Sequence, residues 1–338
     1  MKEILSDINK WQMENQPIAI ATVVQTWGSA PRKAGAKMAV TPNGRMAGSV
    51  SGGCVEGAVF EEAVATLKNN KPKLLHFGVA DETAWEVGLA CGGTIEVFVE
   101  SLNANATALM DNLITHDKAG ASITIIRGPE EMLGQKLTVA RDGRQTGTLG
   151  PELDNLALTA EKKLQSSQRI QLTDEVEVFI DVMRPAPTLV MVGGVHIAIA
   201  LIQYAKVLGY HTIVVDPRRA FGSEERFPNV DNLIQAWPKK AFAEIELTPE
   251  TAVALLTHDP KIDDPALEVV LESDVFYIGA LGSKKTHAKR IKRLQEKGIS
   301  EGQIGRIHAP IGLNIHAATP EEIALSVIAE IVKTFRSV

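Results

Sequence analysis

Cysteine is scarce in this sequence, which has only Cys54 and Cys91 among 338 residues. Two cysteines in so long a chain do not form the disulfide framework of small secreted proteins. The first residues lack the apolar core of a secretory signal, and the longest apolar run, residues 189–202, is too short and too interrupted by glycine and histidine to cross a bilayer. We therefore expect a soluble cytoplasmic protein with two reduced thiols and no membrane association.

Basic residues are also few, since 35 Lys and Arg stand against 41 Asp and Glu, a net charge of −6. Proteins that bind nucleic-acid duplexes usually carry a basic excess or cluster, so we expect no nucleic-acid partner. With 45% hydrophobic and 22% charged residues, the composition also excludes a disordered chain. At roughly 100–200 residues per domain, the length predicts two domains.

Residues 183–187, Met-Arg-Pro-Ala-Pro, predict the domain boundary, because two prolines in three residues prevent regular structure. We assign residues 1–184 to an N-terminal α+β domain and residues 185–338 to a Rossmann-like α/β domain with a doubly wound parallel sheet. In the second domain, short apolar strands alternate with amphipathic helices, a pattern typical of such sheets. We predict strands at 188–192, 212–215, 252–256 and 275–278, and helices at 197–208, 263–273, 284–297 and 320–335.

The first domain contains an internal repeat, with copies at about 18–100 and 120–182. Residues 35–48 match residues 134–147 without gaps, including the hairpin turn signals Asn43-Gly44 and Asp142-Gly143. The copies also end alike, at residues 96–100 and 177–181. We therefore predict that two related halves pack as one α+β domain.

Residues found only in the first copy are the better functional candidates, because shared residues build the common fold. These segments are Gly28-Ser29-Ala30-Pro31-Arg32, Ser51-Gly52-Gly53-Cys54-Val55-Glu56 and Cys91-Gly92-Gly93. A gapless alignment places Leu153 of the second copy opposite Cys54. Both cysteines therefore lie in divergent segments, each beside a pair of glycines.

Cys54 precedes a predicted helix at 55–67, where the positive end of the helix dipole stabilises a thiolate. Arg32, Lys33 and Arg45 are near in sequence and add positive charge, and paired glycines let a ligand approach the backbone. Such a thiolate suits a soft metal, a sulfur atom or an anionic ligand, whereas two cysteines supply half of a structural zinc site. A buried structural cysteine and a catalytic nucleophile remain open as alternatives.

The second domain begins with a variant of the dinucleotide-binding fingerprint, Gly193-Gly194-Val195-His196. Val195 occupies the place of the middle glycine of G-x-G-x-x-A, where a side chain crowds the pyrophosphate. Asp216 ends the next predicted strand, where an acidic residue can hold a ribose hydroxyl. The alternative of an NAD(P)-dependent oxidoreductase is therefore open but weakened.

Polar clusters follow the later predicted strands, among them Thr257-His258-Asp259 and Gly282-Ser283-Lys284-Lys285. Ligands in open α/β sheets bind at the carboxyl ends of the strands. Ligand-binding residues are therefore expected at Gly193, His196, Asp216, His258, Asp259, Ser283 and Lys284. The basic run from Lys284 to Arg293 is interpreted as a solvated helix.

These motifs resemble those of the XdhC/CoxI family, the xanthine dehydrogenase accessory factors. The resemblance rests on the three first-copy segments and, in the second domain, on Val215-Asp216-Pro217-Arg218, Thr257-His258-Asp259, Gly279-Ala-Leu-Gly282-Ser283-Lys284 and Ala309-Pro310-Ile311-Gly312-Leu313. It covers nearly the whole chain in order. The sequence departs from the family pattern at Gly194-Val195, where Ala-Gly is usual, and at Asn314 and His316.

The resemblance implies a cofactor chaperone rather than a turnover enzyme. Such a protein binds molybdenum cofactor (molybdopterin), protects it, supports its sulfuration by a cysteine desulfurase, and delivers it to a xanthine dehydrogenase-type molybdenum hydroxylase. Cys54 and Cys91 would contact the metal or its sulfur, with Gly52, Gly53, Ser29 and Arg32 beside them. We also expect Cys54 and the strand-end loops to face one cleft, within one chain or across a homodimer.

Overall fold

The computed structural model describes residues 1–28, 32–78, 93–164 and 166–337 of the chain. The chain divides into two compact units, Met1–Pro185 and Ala186–Val338. Among the helices described, none is long and apolar enough to cross a membrane.

The first unit contains two antiparallel five-stranded sheets of the same design. The first sheet has the order β3-β2-β1-β5-β4 and the second has the order β8-β7-β6-β10-β9, so the strand orders correspond position by position. The strands are β1 (Ala19–Trp27), β2 (Lys37–Val40), β3 (Met46–Gly48), β4 (Lys73–Phe77), β5 (Thr94–Ser101), β6 (Gly120–Arg127), β7 (Lys136–Ala140), β8 (Gln145–Gly147), β9 (Gln168–Gln171) and β10 (Glu177–Met183). The predicted α+β fold of two related halves is confirmed.

Each sheet of the first unit is covered by a helix that follows its β-hairpin. The helices of this unit are α1 (Leu5–Met13), α2 (Glu56–Asn69), α3 (Ala104–Thr115) and α4 (Pro151–Glu161). Val59 and Ala63 of α2 are buried in the core of the first half, and Ala157 of α4 is buried in that of the second. Helix α2 begins one residue later than predicted and ends at Asn69, because the next residue, Asn70, has a left-handed backbone that stops the helix.

The two halves of the first unit pack together through equivalent residues. Strands β1 and β6 both carry a bulge, at Val24 and Ile126, and these two residues pack with Phe98 and Phe179 in one apolar cluster. A bulge turns a residue out of the regular alternation of a strand. Both halves therefore use the same irregularity to build the surface that joins them.

Two of the ion pairs that cross between the halves join equivalent residues of the repeat. Lys37 Nζ lies 2.8 Å from Asp181 Oδ2, and Lys136 Nζ lies 2.5 Å from Glu100 Oε1, with each side chain at most 15% exposed. Burial would raise the pKa of Asp181, but the charge of Lys37 holds it below its usual value. All four side chains line a cavity of about 390 Å³ within the unit. The repeat alignment pairs Lys37 with Lys136 and Glu100 with Asp181, so each lysine binds the carboxylate of the other half.

The second unit is a six-stranded parallel sheet with the order β13-β12-β11-β14-β15-β16. Its strands are β11 (Thr188–Val192), β12 (His211–Val215), β13 (Asn232–Ile234), β14 (Thr251–Leu255), β15 (Tyr277–Ala280) and β16 (Ile307–His308). Its helices are α5 (His196–Val207), α6 (Pro238–Ala241), α7 (Pro260–Val270), α8 (Lys284–Glu296), α9 (Glu301–Ile304) and α10 (Pro320–Ser337). Separate apolar clusters cover the two faces of the sheet, which confirms the predicted Rossmann-like, doubly wound class.

The strand order places the switch point of this sheet between β11 and β14. The chain moves outward from β11 through β12 to β13 and then returns to pair β14 with the other edge of β11. Loops that leave the carboxyl ends of β11 and β14 therefore diverge and leave room for a ligand. The prediction missed β13 and β16, which have only three and two residues.

Candidate functional site

The loop between β3 and α2 carries Gly52, Gly53 and Cys54 and is held by the carboxylate of Glu56. The Ser49 hydroxyl donates to Glu56 Oε1 at 2.6 Å, and the backbone N–H groups of Ser51 and Gly53 donate at 2.9 and 2.8 Å. The Ser51 hydroxyl and two further backbone N–H groups of the loop also donate to this carboxylate. The Glu56 carboxylate thus accepts six hydrogen bonds from its own loop.

The charge of Glu56 is stabilised by these hydrogen bonds. Burial alone would raise its pKa, but the donors from Ser49, Ser51 and the loop backbone outweigh burial and lower it to about 2. The carboxylate is therefore ionised at neutral pH, when its bonds to the loop are strongest. Glu56 belongs to one of the first-copy motifs, but no sequence pattern indicated that its side chain shapes the loop.

The two glycines of this loop meet a conformational requirement and leave space for a ligand. Gly52 and Gly53 have φ values of +79° and +120°, which side-chain-bearing residues rarely adopt. A Cβ atom on Gly53 would meet no atom of the described residues within 4 Å, so this part of the backbone is open to approach. Close access to the backbone beside the thiol is therefore available.

Cys54 is a free, partly buried thiol that packs against the apolar core of the first half. It precedes Val55, the N-cap residue of α2, so it lies at the positive end of a 14-residue helix as predicted. The thiol thus combines a fixed position with partial access. Ser29 and Cys91, the other predicted residues of this site, lie outside the described residues.

Two of the basic residues expected near Cys54 are paired with carboxylates. Arg32 binds Glu3 at 2.6 Å, and Arg45 binds Glu14. Their charges are therefore partly compensated by the N-terminal segment. Within the described part of the chain, no three His, Cys, Asp or Glu side chains form a group that could hold a metal ion.

The matching loop of the second half is held in the same way by Asp154. The Thr148 hydroxyl and the Leu149 backbone N–H each donate to Asp154 at 2.7 Å. Thr148 and Asp154 are six positions apart in the sequence, whereas Ser49 and Glu56 are seven positions apart. The first loop is therefore one residue longer than the second. When Glu56 is aligned with Asp154, Glu152 lies opposite Cys54, which corrects the gapless alignment that placed Leu153 there.

Asp216 in the second unit is buried, and its carboxylate is already engaged. It accepts hydrogen bonds from the Gly194 backbone N–H at 2.8 Å and from Arg218 Nε and NH2 at 2.9 and 2.7 Å. Burial would raise the pKa of Asp216, but the bonds from Arg218 lower it. A ribose hydroxyl would compete with Arg218 for this carboxylate, so the role expected of Asp216 has a competitor within the chain.

The glycine turn after β11 is covered by the segment that carries Arg218 and Phe221. A Cβ atom on Gly194 would overlap the carbonyl of Phe221, and Arg226 NH2 donates to the Gly194 carbonyl at 3.2 Å. The Arg218 guanidinium stacks on the Phe221 ring at 4.0 Å. His196 is the exposed first residue of α5, and Val195 is its N-cap. The segment from Arg218 to Arg226 therefore packs directly on the backbone of the Gly194 turn.

The other predicted residues of the second unit gather at the carboxyl ends of the strands. Gly193 lies against Thr257, and the Nδ1 atom of His258 lies 3.6 Å from the position of a Cβ on Gly282. Asp259 and Ser283 cap α7 and α8 through bonds to backbone N–H groups, and Lys284 is the exposed first residue of α8. The loops after β11, β14 and β15 thus meet, although two of the predicted residues also serve as helix caps.

The interpretation of α8 as a solvated helix is wrong for Arg290, which is only 2% exposed. Arg290 and Leu294 are four residues apart and both buried, so they form the inner face of the helix. The four-residue spacing of Arg290 and Leu294 already indicated a buried face, although basic residues surround Arg290 in the sequence.

Comparison with known proteins covers both units. A model described as the XdhC and CoxI family matches residues 11–78, and one described as the XdhC Rossmann domain matches residues 189–331. The chain is 30% identical over 329 residues to a Bacillus subtilis protein described as a probable xanthine dehydrogenase subunit, with 96% of each protein covered. It is 27% identical over 320 residues to the molybdenum cofactor insertion chaperone PaoD of Escherichia coli, covering 94% of this chain and 84% of that protein.

A solved structure shares the fold. A crystal structure described as a xanthine dehydrogenase from Bacillus halodurans has a TM-score of 0.68 and 24% identity, covering 98% of this chain and 96% of that one. The family resemblance of the sequence motifs is confirmed by the two family models and by the nearly full-length relative from Bacillus subtilis. The chain therefore belongs to the XdhC and CoxI family.

Proposed function

We propose that this protein is an accessory factor that binds molybdenum cofactor, protects it and inserts it into a xanthine dehydrogenase-type molybdenum hydroxylase. The family supports this function, as do the names of two relatives, a molybdenum cofactor insertion chaperone and a probable subunit of xanthine dehydrogenase. The observation that carries the proposal is the loop of Gly52, Gly53 and Cys54, held open by Glu56.

The chemistry of the donor set agrees with such a cargo. Molybdenum cofactor brings sulfur ligands of its own, so a carrier needs to add one soft donor rather than a complete metal site. Cys54 is a partly accessible thiol, and sulfur is the ligand type that suits a soft, sulfur-rich centre. The cofactor must also be released, which a single protein ligand permits.

Each residue of the loop has a part in this scheme. Cys54 contacts the metal or its terminal sulfur, Gly52 and Gly53 let the cofactor approach the backbone, and Glu56 keeps the loop in its binding conformation. Cys91 and Ser29 are proposed as further contacts. A cysteine desulfurase as the sulfur donor, and a homodimer, stay predictions.

The test is retention of cofactor by the full chain. Wild type, Cys54→Ser and Cys91→Ser are incubated with molybdenum cofactor, desalted, and measured for molybdenum content by mass spectrometry. We expect Cys54→Ser to lose most of the bound metal and Cys91→Ser to lose part of it, while circular dichroism and melting temperature stay close to wild type. Unchanged molybdenum in Cys54→Ser would reject the role of the thiol.

A parallel titration with NADH separates this function from that of an oxidoreductase. The cover of Phe221 over Gly194, together with Val195, predicts weak or absent binding of NADH. Micromolar affinity measured by calorimetry would show that the covering segment opens and would favour the oxidoreductase instead.

A further inference from the structure

A cavity of about 230 Å³ lies between α7 and α8 in the second unit, and its lining is basic. Lys285, Lys289, Arg290 and Arg293 of α8 contribute to it, opposite His258 and Asp263. Residues four apart on a helix share a face, so the basic side chains of α8 converge on one side. None of these α8 residues is among the site residues predicted from the sequence.

Arg290 is the most informative residue of the cavity, because its guanidinium is buried and two of its nitrogen atoms have no hydrogen-bond partner among the described residues. Its NH2 group donates to the Leu281 carbonyl at 3.0 Å and lies 3.6 Å from Asp263 Oδ2. Its Nε and NH1 atoms are buried and have no hydrogen-bond partner among the described residues. A buried guanidinium with two unused donors is costly to fold, and an oxyanion in the cavity would offset that cost.

The acidic residues around the cavity do not cancel its positive charge. Arg293 is held by Asp264 through two bonds of 2.5 and 3.0 Å, so these two charges neutralise each other. Asp263 lies 3.6 Å from Arg290 and accepts a hydrogen bond from the Thr257 hydroxyl at 2.5 Å, so it offsets the charge of Arg290 alone. Lys285 and Lys289 are exposed and add two positive charges at the mouth.

The start of α8 adds to the same potential. Lys285 and Thr286 belong to the first turn of this 13-residue helix, and both line the cavity. The N-terminus of a helix carries a partial positive charge and presents backbone N–H groups, which favours anions. The helix dipole, Arg290 and the two lysines therefore act on one small space.

We propose that this cavity binds a phosphate group, either free phosphate or the phosphate end of a monoester. At about 230 Å³ it is smaller than the roughly 300–1,000 Å³ typical of pockets for drug-sized ligands, so it suits a small anion rather than a whole dinucleotide. A guanidinium is a charge-assisted donor to phosphate oxygens, and Arg290 keeps Nε and NH1 without a partner among the described residues. The inference depends on the second unit alone and does not require the cofactor-binding function.

Calorimetry of the full chain with sodium phosphate and with glycerol 3-phosphate tests the proposal, against sodium chloride at matched ionic strength. We expect saturable binding of one phosphate group per chain. Arg290→Gln should weaken this binding by at least about tenfold, because it removes charge-assisted hydrogen bonds. Tighter binding of the monoester would identify an esterified ligand, and equal or weaker binding would identify free phosphate.

A second variant protects the test against misfolding. Lys289→Gln changes an exposed cavity residue and should weaken binding about threefold, since it removes one partly screened charge. Lys292→Gln removes an exposed charge of the same helix that does not line the cavity, and should leave binding within error of wild type. Equal effects of these two variants, or no saturable binding to wild type, would overturn the proposal whatever the result for molybdenum retention.

Discussion

The two halves of the first unit share a sheet design and differ in the loop that precedes the covering helix. In the second half, α4 begins with Pro151, directly after a short loop bonded to Asp154. In the first half, Glu56 holds a loop that is one residue longer and contains two glycines. The first loop thus differs from the second by one added residue, a second glycine and the adjacent thiol.

The shared features build the fold, and the divergent loop carries the candidate chemistry. Both halves bury a helix on the outer face of the sheet and a bulge residue at the inner face. Both also use a carboxylate to bind the loop after the hairpin, so that device is structural in origin. The first half differs in that the Glu56 carboxylate accepts hydrogen bonds from four backbone N–H groups.

The crossed ion pairs give the largest expected effect and test the equivalence of the halves. Lys37→Met and Lys136→Met should each destabilise the first unit by about 3–5 kcal/mol, because each leaves a buried carboxylate without its partner. Urea unfolding measured by circular dichroism gives the two values. A large cost for one variant and none for the other would contradict the equivalence.

The two loop carboxylates should differ in strength. Glu56→Gln should cost about 2–3 kcal/mol of unfolding free energy, because several hydrogen bonds to a charged acceptor weaken together. Asp154→Asn, whose carboxylate accepts from Thr148 and Leu149, should cost about 1 kcal/mol. The same unfolding assay decides, and a larger cost at Asp154 would reverse the comparison.

The low pKa of Glu56 predicts a dependence of stability on pH. Its pKa is about 2 in the folded protein and 4.5 as the ordinary value, so the stabilisation is complete above about pH 4.5 and is lost as pH falls toward 2. The shift corresponds to about 3 kcal/mol, which screening by solvent at this partly exposed group reduces to about 1–2 kcal/mol. The difference in stability between wild type and Glu56→Gln should therefore shrink across that window. A constant difference would contradict the assignment.

Gly53→Ala should have a small effect on stability and a direct effect on the loop. A Cβ atom has space at this position, so the cost is the strain of φ +120°, about 1 kcal/mol. Glu152→Ala in the second half is the control and should stay within about 0.5 kcal/mol of wild type. Thermal melting gives both values. Molybdenum retention should fall in Gly53→Ala and stay at the wild-type level in Glu152→Ala.

Periodicity and turn residues predicted the elements of both units but not the contacts of single side chains. The alternation of strands and helices predicted the parallel sheet, and the hairpin turns predicted the two halves. The reach of Glu56 to four backbone N–H groups depends on a side chain folding back over its own loop, which no spacing rule encodes. Missing β13 and β16 has a simpler reason, since strands of two or three residues carry no pattern.

The crossed ion pairs and the burial of Arg290 each have a counterpart in the sequence pattern. The repeat already pairs Lys37 with Lys136 and Glu100 with Asp181, and buried charges in a repeat must find partners. Their pairing across the halves follows from the packing of the two sheets, which the sequence does not specify. Arg290 likewise shares a helix face with Leu294, and helical spacing alone places it inside.

The crossed pairs Lys37–Asp181 and Lys136–Glu100 give the first unit the contact pattern of an isologous dimer, in which residue i of one protomer meets residue j of the other and the reverse also holds. In a dimer of identical protomers, every change of sequence would occur in both protomers. Because a single chain joins these halves, one loop could diverge while the other kept the capping geometry that supports the fold. Each chain thus presents a single Cys54 loop, so the proposed function predicts one cargo molecule per polypeptide at saturation.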